Sequence, residues 1–296
     1  MARALLITNP AAARTEPGAI RAVCAVLRKR GLDVDVAGTT SHGDAAGLAR
    51  QGADDGVDLV VVYGGDGTAM QVVRGIVGRD IPIGLIPGGT GNILAGNLRI
   101  PMSPRRAAEV VARGAPRRID LGRVDRADGP HYFAVNCGAG FDADLMHATS
   151  AAAKRRWGFA AYVTEALRGL GDITSVPHRI TVDDQVLEAN AATVMIANCA
   201  ELIPPYVRLK RDIAFDDGQL DVIILEASGV VSSVAVFARL VLGVEGGETI
   251  RYARGRRITV DAAVPRAVQL DGEPTGTTPF TAEVLPGAMR VVAPAD

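Results

Sequence analysis

The chain has 296 residues, 48% of them hydrophobic and 22% charged, with a net charge of −1. That is long for one domain, comfortable for two, and globular in texture. Near-neutral charge gives no electrostatic reason to expect nucleic acid as a partner.

In chain order, residues 3–9 read as a strand ended by Pro10. A helix follows, with Ile20, Val23, Cys24 and Leu27 on one face and Gly31 at its end. Val34 and Val36 mark a second strand, and 45–51 a second helix. Residues 59–63 form a buried strand that runs into Gly64-Gly65-Asp66-Gly67-Thr68. Ala69, Val72, Val73, Ile76 and Val77 then keep helical spacing. Residues 81–86 are another buried strand, leading straight into Pro87-Gly88-Gly89-Thr90-Gly91-Asn92. Such alternation predicts a parallel sheet covered on both faces, with its ligand site off the carboxyl ends of the strands. Both glycine-rich loops leave strands at that end.

From about residue 118 the texture changes. Strands are predicted at 118–124, 131–137, 179–182, 188–198, 220–225, 257–260, 267–270 and 280–284, with helices around 157–170 and 230–242. Asp183-Asp184-Gln185 reads as a hairpin turn. This half is expected to be an antiparallel β-sandwich-like domain with helical insertions. The boundary is placed between 1–122 and 123–286, and 287–296, with a strand at 289–292, is a candidate to complete the first domain. Cys24, Cys137 and Cys199 are far apart in apolar settings and read as reduced core residues of a cytosolic protein. No signal peptide is expected in residues 1–10. The longest later apolar run, 230–244, is cut by Arg239 and falls short of a membrane span, so membrane contact is expected to be peripheral.

Four short motifs carry the chemistry. Gly64 to Thr68 joins a strand to a helix N-terminus, an arrangement that presents backbone N–H groups to a phosphate. As a plain turn it would need glycine only for its backbone angles and Thr68 as a cap. The second loop argues against that, because Thr90 and Asn92 can bond phosphate or ribose oxygens. No Gly-Lys-Ser or Gly-Lys-Thr occurs, which excludes a Walker-type loop. No G-x-G-x-x-G follows the first strand, which argues against a dinucleotide-dependent dehydrogenase. Phe215-Asp216-Asp217-Gly218-Gln219-Leu220-Asp221 reads either as a turn or as a hard-cation loop. Leu270-Asp271-Gly272-Glu273 reads as a turn whose carboxylates can supply a general base. Lys154-Arg155-Arg156-Trp157 reads as a solvated helix start or as an interfacial patch. The histidines, His42, His131, His147 and His178, show no ligand spacing.

G-G-D-G-T, P-G-G-T-G-N, D-D-G-x-L-D and L-D-G-E, in this order and spacing, resemble the diacylglycerol kinase catalytic-domain family, which includes bacterial lipid kinases and the sphingosine and ceramide kinases. The resemblance implies a three-layer α/β ATP-binding domain similar to NAD kinases and phosphofructokinases, and a β-rich lipid-binding domain. Carried over by motif, Asn9 and Thr39 would contact the nucleotide. Gly64, Gly65, Asp66, Gly67, Thr68, Gly88, Gly89, Thr90 and Asn92 would hold its phosphates. A structural Mg²⁺ would bind the Asp217 carboxylate and the Ala214 and Gln219 carbonyls. Asp271 would be the general base, Glu273 its partner, and Asp66 and Asp120 part of the acidic network around a catalytic Mg²⁺. The sequence departs from the family at Ala11-Ala12-Ala13, where Ser-Gly is usual, and at Asn92-Ile93, where many relatives carry an Asp.

The implied function is ATP-dependent phosphorylation of a lipid hydroxyl, with diacylglycerol as the default acceptor and a cytoplasmic, peripherally membrane-associated location. An NAD kinase-like enzyme and a non-catalytic lipid- or nucleotide-binding regulator are the alternatives. Exposed edge strands would permit a homodimer.

Overall fold

The computed structural model describes residues 1–10, 12, 15–41, 43–140, 174–205, 207–226, 239 and 249–295. The sequence-predicted helix at 157–170, the basic patch at Lys154–Trp157, Ala11, Ala13, His42 and His147 lie outside these residues. So does the helix at 230–242, except for Arg239, which is helical. The chain divides into two compact units, Met1–Ile119 with Gly287–Asp296, and Asp120–Pro286.

The first unit runs β1 (Ala2–Thr8), α1 (Pro17–Lys29), β2 (Leu32–Gly38), α2 (Asp44–Asp54), β3 (Leu59–Gly64), α3 (Asp66–Ile76), β4 (Ile83–Pro87), α4 (Ile93–Asn97) and α5 (Pro104–Arg113). Its strands pair in parallel in the order β2-β1-β3-β4. The register explains the layers. Leu5, Val60 and Ile83 form one row and Leu6, Val61 and Gly84 the next, so the two rows face opposite sides of the sheet. Gly52 of α2 sits so close over Leu5 that an added Cβ would lie 2.5 Å from its Cδ2. On the other side Val111 of α5 covers Gly84, where a Cβ would lie 2.7 Å away. The expected three-layer α/β sandwich is what forms. Sequence reading missed α5, whose buried face is only Ala107, Ala108 and Val111. The signal was there and was overlooked: charged Arg105, Arg106, Glu109 and Arg113 alternate at helical spacing with that small apolar face.

The second unit continues with β5 (Ala115–Arg126, whose first residues belong to the first unit), β6 (Gly129–Phe133), β7 (Asn136–Gly140), β8 (Val176–Val182), β9 (Gln185–Ala191), β10 (Thr193–Ala197), β11 (Glu201–Ile203), β12 (Val207–Arg208), β13 (Leu220–Leu225), β14 (Ile250–Gly255), β15 (Arg257–Ala262), β16 (Ala267–Leu270), β17 (Glu273–Thr277) and β18 (Phe280–Ala293). One antiparallel sheet has the order β14-β13-β10-β7-β16-β17. Facing it are the antiparallel strands β18, β15, β8 and β9. Val124, Phe133, Ile180, Val194, Ile196, Val222, Ile258, Val260, Val268 and Phe280 fill the core. This is the expected β-sandwich.

Three strand readings need correction. The expected strand at 131–137 is two, because the backbone at Ala134 and Val135 leaves the sheet to bond a carboxylate. The one at 188–198 is also two, broken at Ala192. Those at 280–284 and 289–292 are a single strand, β18, whose end pairs in parallel with β4 at Val291–Ile83.

Candidate functional site

The first group of candidate residues gathers at the carboxyl edge of the parallel sheet, where β1, β2, β3 and β4 end at Thr8, Gly38, Gly64 and Pro87. The Gly88 amide donates to the Gly64 carbonyl at 2.8 Å, continuing the β3–β4 ladder into the loops. There the two loops touch backbone to backbone. A Cβ on Gly89 would lie 2.5 Å from the Gly65 Cα, and one on Gly65 would lie 3.2 Å from the Gly89 Cα. Only glycine fits at position 89, and a Cβ at position 65 is crowded.

Asp66 fastens the crossing. Its carboxylate accepts the Ile93 amide at 3.0 Å and the Leu94 amide at 3.1 Å, capping α4 from the other loop. Burial pushes its pKa up, against the pull of those amides. Asn92, at φ +50° and buried, accepts the Gly89 amide at 2.9 Å and donates to the Gly89 carbonyl at 2.8 Å. Both ends of its side chain thus shape the loop from which a phosphate contact is expected. Thr68 is buried and accepts from the Asn9 side chain at 3.2 Å, while the Thr39 amide donates to the Thr8 carbonyl at 2.9 Å. Thr90 is exposed and Gly67 half-buried. A cavity of about 20 Å³ behind the loops, lined by Val62, Asp66 and Leu94 among others, has room for one water. Helix α3 starts at Asp66 with Gly65 as its N-cap, and no side chain of that cap bonds its first turn. Its amides suit an anion, whereas those of α4 are already taken by Asp66.

The second group lies in the second unit. Asp271 has φ +47° and is followed by Gly272 at φ +86°, a tight left-handed turn between β16 and β17. Its carboxylate accepts three backbone amides, from Ala134 at 2.7 Å and from Val135 and Asn136 at 2.9 Å. Its own amide donates to the Asn136 carbonyl. Gln269 donates to the Asn136 side chain at 2.6 Å and accepts the Gly272 amide at 2.7 Å. Three amide donors on its two oxygens fix its orientation. Glu273 is half-buried and opens β17, where it pairs with Leu270.

Asp120 is buried, and its carboxylate accepts the Gly218 amide at 2.6 Å while its amide donates to Phe215. It therefore shapes the Asp216–Gly218 loop, which precedes β13 and is not a hairpin. In that loop Asp217 accepts the Gln219 amide at 3.0 Å. Arg254 reaches in from β14 and donates to Asp221 at 2.9 Å and to the Asp212 carbonyl at 2.8 Å. Its guanidinium also stands 3.8 Å from Asp217. Burial raises the pKa of Asp221, opposed by Arg254.

For the implied structural Mg²⁺, one carboxylate and two carbonyls form a hard-oxygen set that suits the ion, with water completing its shell. Asp217, Ala214 and Gln219 fit on that ground. The catalytic network is different. Asp66 turns both oxygens to the amides of α4, and among the described residues no three His, Cys, Asp or Glu side chains are placed to share a metal. No metal step is routed through Asp66 or Asp120. Sequence reasoning missed Asn136, Asn198, Gln269 and Arg254. The signal for the first three was a lone amide inside an apolar run, which is costly unless bonded.

Residues 3–124 match the diacylglycerol kinase catalytic domain, and residues 135–293 match the YegS C-terminal NAD kinase beta sandwich-like domain. The chain is 32% identical over 287 residues to a Xanthomonas campestris pv. campestris protein named "Probable lipid kinase YegS-like", covering 94% of this chain and 92% of that one. It is 27% identical to the "Diacylglycerol kinase" of Bacillus subtilis, covering 99% and 97%. A crystal structure of a diacylglycerol kinase from Bacillus anthracis shares the fold, with a TM-score of 0.77 at 22% identity over 98% and 96% of the chains. With both halves matched in sequence and architecture, the chain belongs to the diacylglycerol kinase catalytic-domain family.

Proposed function

We propose that this protein is an ATP-dependent lipid kinase that transfers the γ-phosphate of ATP to the free hydroxyl of diacylglycerol, giving phosphatidic acid. The observation that carries the nucleotide half is the Gly65–Gly89 crossing beside the start of α3. A Cβ-free surface next to an uncapped helix N-terminus lets phosphate oxygens approach backbone amides. Asn9, Thr39, Thr68 and Thr90 stand at the same sheet edge and supply side-chain donors.

Asp271 accepts the proton of the acceptor hydroxyl as its oxygen bonds the γ-phosphorus and the bond to the β,γ-bridging oxygen breaks, releasing ADP. Such transfer needs positioning and charge neutralisation more than covalent work by the protein. The amides of Ala134, Val135 and Asn136 hold the base in one orientation. Glu273 adds negative charge beside it. The Asp217 carboxylate and the Ala214 and Gln219 carbonyls would hold a structural Mg²⁺ that would stiffen the loop before β13, and a nucleotide-borne Mg²⁺ would supply charge neutralisation. No described helix is long and apolar enough to cross a membrane. In this reading the enzyme meets its acceptor by peripheral contact from the cytoplasm.

Incubating purified protein with Mg-ATP, a lipid extract and NAD, followed by mass spectrometry, tests the reading. Phosphatidic acid is the expected product. Transfer to NAD alone, or saturable ATP binding without any phosphorylated lipid, would overturn it.

A further inference from the structure

The residue that unites the second group is Asn198, which no motif marks. It follows β10 and is 1% exposed. Its side-chain amide donates to the Asp120 carbonyl and to the Ala134 carbonyl, each at 2.9 Å. Its backbone amide and that of Cys199 both donate to the Val135 carbonyl, at 2.8 and 3.1 Å, and the Cys199 thiol reaches the Ala134 carbonyl at 3.3 Å. The peptide units of Ala134 and Val135 are thus gripped from both ends. Asn198 and Cys199 hold their carbonyls, and Asp271 holds the amides of Ala134, Val135 and Asn136.

We propose that Asn198 is a positioning residue for the transfer step: it fixes the amides that orient Asp271 and ties them to the strand carrying Asp120. The role rests on the reading of Asp271 as the base. A hydrophobic isostere would fill the space equally well, so packing does not explain an amide here. Among the described residues its carbonyl oxygen has no partner, an arrangement that packing alone would not favour. What the amide uniquely supplies is two donors aimed at carbonyls on two separate segments. Without them the 134–136 turn is free to drift, and a misplacement of about 1 Å can cost on the order of 10²-fold in rate.

The test compares Asn198→Ala, Asp271→Asn and the double variant. Asn198→Ala is expected to lower kcat on the order of 10–100-fold while KM for ATP stays near wild type. The amides of 134–136 should exchange hydrogen faster. In the Asp271→Asn background the Asn198 change should add no further loss, because two residues acting as one unit are not additive. Unchanged kcat with unchanged exchange at 134–136, or losses that multiply in the double variant, would overturn the role. If Asn198→Ala does not fold, Asn198→Ser, which keeps one donor, takes its place with the same expected pattern in milder form. Wild-type turnover by Asp271→Asn would instead overturn the base assignment itself, a result separable from an inactive Asp271→Asn beside a fully active Asn198→Ala.

Discussion

The loops Gly64–Thr68 and Leu270–Glu273 both turn a carboxylate onto backbone amides, but they are rigid for opposite reasons. In the first, shape comes from missing atoms: Gly65 and Gly89 cross so closely that a Cβ on Gly89 has no room and one on Gly65 is crowded, and Asp66 locks the crossing. In the second, shape comes from added atoms: Asn136, Gln269 and Asn198 surround the turn and its amides with bonded polar groups. Arg254 does the same for the neighbouring Asp217–Asp221 segment of the same unit. A surface that must admit a polyanion gains from bare backbone. A carboxylate that must hold one orientation gains from a polar frame.

The contrast makes each region fragile to a different substitution. Arg254→Leu should have the largest effect on stability, because it strands the Asp221 carboxylate, which is buried at 3% exposure. Losing one partner of a buried ion pair costs about 3–5 kcal/mol. With Arg254 itself part-exposed, about 3 kcal/mol is expected by denaturant unfolding. Lowering the pH toward the carboxylate range should narrow the difference, since burial raises the pKa of Asp221 and its protonation removes the stranded charge. Next is Gly89→Ala, which forces the crossing apart. Overpacking of this kind costs about 1–3 kcal/mol, and calorimetric ATP titration should show a greater loss of affinity than of stability.

Gly65→Ala sharpens the comparison, since its Cβ would meet the Gly89 Cα at 3.2 Å where the reverse change meets 2.5 Å. Its effect on ATP binding should be the smaller of the two. An equal or larger loss would mean that space at the crossing is not what matters. The smallest effect concerns His178, buried in the second unit, where burial lowers its pKa from the ordinary 6.5. The unfolded chain then binds a proton that the folded chain refuses. Stability is therefore full above 6.5 and declines as pH falls from there toward the folded value. Thermal melts at about pH 7.5 and about pH 5 should show a smaller decline in His178→Leu than in wild type.

What was legible in the sequence follows the same contrast. Glycines have a specific physical use at a turn or close approach, so the strand–loop–helix unit at Gly64 and the strand and loop at Gly88 stood out, as did the parallel sheet behind them. The alternating strands of the second half announced a sandwich, but not where 131–137 would break. That break depends on Asp271, more than 130 residues away in sequence. Asn198 was only half legible for a related reason: a lone amide inside an apolar run announces that it must be bonded, but not to which two carbonyls. The loop-shaping bonds of Asn92 were equally hidden, because its type suits both a phosphate contact and a left-handed loop position and its backbone angle is not written in the sequence.

The central claim is that Asp271 takes the proton of a lipid hydroxyl while separate residues hold ATP. Measuring γ-phosphate transfer to diacylglycerol by wild type and Asp271→Asn, together with ATP affinity, tests it most directly. The expected result is a fall in kcat on the order of 10²–10⁴-fold with ATP binding unchanged. Turnover at the wild-type rate by Asp271→Asn would contradict the account.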